Sequence, residues 1–119
     1  MDSKTFINYF ERCKEAEVVT HILHLRTKSY ARHMALGEFY ETLNGLADQL
    51  AEAYLTKGGS ELNISQLCFT IPTDEKLFIE QFLEETRILT IREIEVDIQD
   101  ILSGITELCK KTLYLFTLS

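Results

Sequence analysis

Three histidines, His21, His24 and His33, fall inside one thirteen-residue window, and the acids Asp48 and Glu52 follow fifteen and nineteen residues after His33. Imidazole nitrogen with carboxylate oxygen suits iron, manganese or zinc, and an ion held by few protein ligands keeps positions open for water, peroxide or dioxygen. On one helix the fifteen residues from His33 to Asp48 rise roughly 22 Å, so those two side chains cannot ligate one ion within a chain. Asp48 and Glu52, four apart, share a helix face, whereas His24 and His33 meet only across a turn. A two-fold axis near the middle of the hairpin solves the distance. It sets the histidine end of one subunit against the carboxylate end of its partner. The expected metal site is therefore His24 and His33 of one chain with Asp48 and Glu52 of another, in a homodimer or larger homo-oligomer.

The elements that must position these residues read as helices. Phe6, Phe10, Cys13 and Ala16 or Glu17 recur at helical spacing in a first helix over about 3–26. Its second half, with Val18, Val19, Ile22, Leu23 and Leu25, is apolar on more than one face, which predicts contact with a second surface beside its own bundle. A second helix over about 29–57 carries Leu36, Phe39, Leu43, Ala47, Leu50 and Tyr54. It ends at "KGG", where Gly58 or Gly59 can take the left-handed cap conformation. The short connection Thr27 to Ser29 makes these two an antiparallel hairpin. A third helix over about 74–89 starts at Thr73 or Asp74 as N-cap. The "TIRE" at Thr90–Glu93 matches a capping box and predicts a fourth helix over about 91–117, burying Ile94 and Ile98 among others. Between the hairpins, Leu67, Cys68, Phe69 and Ile71 form a small apolar knot in a connection long enough for either an adjacent or a crossed-over third helix. The fold class expected is all-α, a four-helix bundle of two hairpins in one domain, 1–119.

Composition narrows the function classes. Nineteen acidic against twelve basic residues give a net charge of -7, so the average field repels phosphate and disfavours direct nucleic-acid binding. Cys13, Cys68 and Cys109 are odd in number and widely spaced, and read as reduced buried thiols of a cytoplasmic protein. No signal sequence and no bilayer-length apolar run is expected. P-loop, dinucleotide, GxSxG and HExxH patterns are absent from the sequence.

"LHLR", His33 and the "D-x-x-x-E" of "ADQLAEAY" resemble the ferroxidase segment of the starvation-induced DNA-protecting miniferritins, Dps. The resemblance implies a ferritin-like fold and oxidation of ferrous iron at a two-fold interface. It sets His24 and His33 at the family's histidines, Asp48 at the interfacial aspartate and Glu52 at the glutamate. Gly37 stands where that family carries a further metal-binding aspartate, and the gap from His24 to His33 is three residues shorter than usual. The layout, with its "TKSY" turn and "KTLYLFTLS" end, is also similar to small ferritin-like proteins of tailed bacteriophages, which implies residence in the host cytoplasm.

Blander readings stand beside these. A histidine near a helix end is commonly a cap, and an acid pair at i,i+4 on an acidic helix is commonly a solvated face. Asp48 and Glu52 could instead face Glu11 or Glu15 within the chain, and His21 with His24 is an i,i+3 pair lacking a local acid. The alternative function is a metal-free helical bundle that binds a host or virion protein through the doubled apolar face of the first helix.

Overall fold

The computed structural model of the chain describes residues 1–59 and 61–119 and contains four α-helices, with no strand among the described residues. Asp2 opens α1 (Ser3–Arg26), its carboxylate accepting the Thr5 N–H at 2.8 Å. Ser29 opens α2 (Tyr30–Thr56) by accepting the Arg32 N–H at 3.2 Å. Asp74 opens α3 (Glu75–Arg92) by accepting the Leu77 N–H at 2.9 Å. Each supplies a side-chain acceptor to a first-turn donor that has no partner in its own helix. Gly58, just past α2, has φ 82°, the left-handed conformation that "KGG" led one to expect.

α4 (Val96–Phe116) packs on both α2 and α3, and α1 packs on α2 and more lightly on α3. The helices therefore run round the bundle in the order α1, α2, α4, α3. Two ion pairs fix their directions. Lys57 at the end of α2 lies 3.1 Å from Asp97 at the start of α4, while Arg32 at the start of α2 lies 3.3 Å from Glu75 at the start of α3. Thus α2 and α3 run the same way on opposite corners, and the connection after Lys57 crosses the length of the bundle. That path, about 40 Å beside a helix as long as α2, is within the reach of some seventeen extended residues. Phe39 of α2 meets Phe82 of α3 edge-on at 6.2 Å, Phe6 of α1 stacks on Tyr54 at 4.0 Å, and all three phenylalanines are fully buried with Leu102 and Ile105 of α4. Each such side chain contributes roughly 1.5–3 kcal/mol of burial.

The structure moves one helix boundary. α3 continues to Arg92 and α4 begins at Val96, so the capping box at Thr90 does not form. Thr90 is committed inside α3, where its hydroxyl donates to the Thr86 carbonyl at 2.8 Å. Glu93, the C-cap of α3, holds the turn instead: it is buried, and its Oε1 accepts the N–H of Ile94 and of Glu95, both at 3.1 Å, while α4 starts without a side-chain cap. Gln99 then closes the turn from α4, donating through Nε2 to the Thr90 and Glu93 carbonyls at 3.2 Å each. As a result Ile94, expected in the core, is 87 % exposed. Nor does the apolar knot form. Leu67 and Cys68 are exposed, and of its members Ile71 alone packs against the core, because the crossover lies along the outside of the helices. Cys13 and Cys109 are the buried thiols; Cys68 is not.

Candidate functional site

His24 sits in the last turns of α1 and His33 in the first of α2, either side of the three-residue turn. His24 Nδ1 lies 2.6 Å from the His33 carbonyl oxygen, and His33 Nδ1 lies 2.8 Å from the His24 carbonyl oxygen. A carbonyl oxygen can only accept, so each Nδ1 carries the hydrogen and donates it. The two rings stack at 3.8 Å between centroids, 18° from parallel. This reciprocal clasp ties the helices together at the turn and occupies one nitrogen of each ring. In the neutral ring Nε2 keeps its lone pair, the arrangement found where a histidine holds a metal and its other nitrogen donates to a carbonyl. Because imidazole binds a metal in its own plane, these near-parallel rings cannot share one ion. Their planes converge far beyond the ~2 Å of a metal–nitrogen bond. Each ring can serve a separate ion.

Gly37 makes the clasp sterically feasible. A Cβ at this position would stand 2.9 Å from Cε1 and 3.1 Å from Nδ1 of His24, so the ring occupies the room a side chain would need. A side chain at Gly37 is thus excluded while the clasp stands. The stack extends along the α1–α2 seam: His24 meets Tyr40 edge-on at 5.6 Å, and Tyr40 lies flat on His21 at 4.3 Å. Both clasp histidines line a groove of about 570 Å³ with Tyr30, Met34, Glu41 and Leu118. Glu38, on the same groove, is held by Lys111 at 2.6 Å.

Asp48 and Glu52 lie further down α2, exposed and side by side. Hydrogen bonding between them, and then the Asp48 charge, raise the Glu52 pKa above the ordinary 4.5. Among the described residues no cation offsets that charge on Glu52. The intrachain alternative is not assembled: Glu15 is turned to Arg12 at 2.7 Å, and Arg12 reaches across to Glu85 of α3. Among the described residues no three His, Cys, Asp or Glu side chains converge. One chain therefore carries the histidines together and the two acids together, at separate levels of one hairpin. Sequence reasoning left Glu41 and Tyr40 out of the site. The signal that could have found them is their position one turn beyond Gly37 and on the seam side of α2.

The fold and this hairpin define the class first: a small all-α protein, one four-helix bundle whose hairpins are joined by a crossover. Residues 24–116 match the Family of unknown function (DUF5856), and the chain belongs to it. Among relatives, it is 31 % identical over 104 residues to the "Uncharacterized 14.6 kDa protein in mobD-ri intergenic region" of Enterobacteria phage T4, a match covering 87 % of this chain and 80 % of that protein. The likeness to small bacteriophage proteins is thereby met. No solved structure matches. Among the described residues no helix is long and apolar enough to cross a membrane.

Proposed function

We propose that the chain is a ferritin-like, Dps-type metal-binding protein that works as a homodimer or larger homo-oligomer. Its metal centre is completed between subunits, with His24 and His33 of one chain each offering Nε2 to a separate ion and Asp48 and Glu52 of the other chain supplying the carboxylates. Ferrous iron is the ion taken up, with manganese or zinc as the alternatives. The observation that carries this reading is the clasp, in which both Nδ1 atoms are spent on backbone carbonyls and both Nε2 atoms remain for a ligand. The unbalanced acid pair of Asp48 and Glu52 supplies the oxygen donors, and the single crossover is the connection that ferritin-like bundles use. The donors fit iron in type. With His24 filling the space at Gly37, the set is one acid poorer than in Dps.

The chain's own part is to hold the rings in a fixed tautomer and to keep two carboxylates exposed for the partner. Iron bound by so few protein ligands retains open positions, and oxidation of Fe(II) is the chemistry it would supply there. The test is anaerobic Fe(II) loading, desalting and metal analysis of the wild type against Asp48→Asn/Glu52→Gln. Both side chains are exposed, so the variant folds. Iron retained by the wild type and lost from the variant supports the site, and equal iron in both removes it.

A second reading rests on a different surface. Ile91 at 80 % exposure and Ile94 and Val96 beside it stand out at the α3–α4 turn, a patch suited to docking a host or virion protein with the metal chemistry absent.

A further inference from the structure

The outer face of α2 is self-complementary end to end. Met34, Gly37, Glu41, Gly45, Asp48 and Glu52 fall within an arc of about 80° on the helix. Tyr30 continues the stripe at its N-terminal end. Tyr30 is 78 % and Met34 54 % exposed, while Glu41, Gly45, Asp48 and Glu52 are exposed along the rest. Apolar and cationic groups gather at one end, since the turn beyond Tyr30 carries exposed Arg26 and Lys28. Acids gather at the other. A Cβ at Gly45 would meet nothing within 4 Å, so the helix surface is open there. Beside this stripe α1 presents exposed Leu25 and Val18, and Val18 shares a groove with Tyr40 and Glu41.

We infer that this face docks a second copy of the chain, antiparallel, with Glu41 on the two-fold axis. That register sets Gly37 against the partner subunit's Gly45, and Gly45 against the partner subunit's Gly37. On both sides of the axis the open helix surface at Gly45 leaves room for the His24 ring that lies over Gly37 of the facing chain. Met34, and His33 next to it, then stand over the partner's Asp48, while Tyr30 and the cationic turn stand over the partner's Glu52. The two Glu41 carboxylates meet at the centre, next to both histidine grooves. Charge complementarity selects a second copy as the occupant: reversing this stripe lays its cationic end on its acidic end twice over. Size agrees. A stable dimer covers about 800 Å² per partner, and along a helix about 40 Å long that is a strip about 20 Å wide, the width of α1 and α2 together.

This register deepens the metal reading, which needs a two-fold interface, but it is tested without metal. In a Cys68→Ser background, Glu41→Cys should cross-link to a covalent dimer under mild oxidation, at least tenfold faster than Glu107→Cys on exposed α4. Gly45→Leu should turn the dimer into a monomer in light scattering while thermal stability holds or rises, because leucine favours an exposed helix more than glycine does. A Glu41→Cys chain that cross-links no faster than Glu107→Cys, or a Gly45→Leu chain that remains dimeric, overturns the register. Cross-linking in a protein whose iron loading ignores Asp48→Asn/Glu52→Gln supports the register and overturns the metal reading alone. Carboxylate-dependent iron loading without cross-linking does the reverse.

Discussion

Gly37→Ala and Gly45→Ala are the same chemical change on one helix with opposite expected outcomes. Both gain about 1 kcal/mol from alanine's better helix propensity. At Gly45 nothing lies within 4 Å of the new methyl, so the gain stands and the variant should be about 1 kcal/mol more stable. At Gly37 the methyl would sit 2.9 Å from His24 Cε1, and the ring must leave its place. Its departure breaks a hydrogen bond worth about 0.5–1.5 kcal/mol and a ring stack worth a similar amount. The His33 ring keeps its own bond, since its acceptor is the His24 backbone carbonyl. The net effect is a destabilisation of about 1 kcal/mol, and the two variants should differ by about 2 kcal/mol. Urea unfolding followed by circular dichroism, at submicromolar protein to suppress association, measures this difference directly. Equal stabilisation by both alanines would refute the clasp as drawn, because it would mean that His24 moves aside at no cost.

Two further outcomes follow from the electrostatics of the site and core. Glu52 has its pKa raised above 4.5 by Asp48, so the folded chain binds that proton more tightly than the unfolded chain. The contribution to stability is present below the ordinary carboxylate range and is lost as pH rises through the raised value. Asp48→Asn should lower the Glu52 pKa in a side-chain NMR titration and flatten that part of the pH profile; an unchanged titration would show that the two carboxylates do not interact. Burial pushes the Cys13 and Cys109 thiols up to about 12 while Cys68 is exposed. At pH 8 an aromatic disulfide reagent should therefore modify Cys68 alone in the native protein and all three cysteines in urea, as read by mass spectrometry. Rapid native labelling of Cys13 or Cys109 would contradict the packing around them.

The first hairpin was legible because its signals are local. Apolar residues at helical spacing, a three-residue turn and the glycines after Lys57 set α1 and α2 within a residue or so. The boundary between α3 and α4 was not, since it depends on a buried glutamate and on Gln99 reaching back from the next helix. Local pattern favoured the capping box, and the threonine it needed turned out to be bonded inside α3. The direction of the crossover was equally hidden, because a connection of that length permits either path and ion pairs between distant residues identify which is taken. In the site, the separation of the histidines from the acids could be worked out from helical rise alone. The stacking of His24 on His33 and its dependence on Gly37 could not, being a fit between two helices that no spacing encodes.

The central claim is that another copy of the chain completes the site, and subunit complementation tests it most directly. One chain carries His24→Asn/His33→Asn, in which an asparagine amide can still donate as Nδ1 does but Nε2 is gone. The other carries Asp48→Asn/Glu52→Gln. Each variant alone should retain almost no iron after anaerobic Fe(II) loading. Refolded together in equal amounts, half of the dimers are mixed and each mixed dimer holds one intact site, so iron should return to roughly a quarter of the wild-type level. Iron that stays at the level of the separate variants, while light scattering shows mixed dimers, would contradict a site shared between subunits.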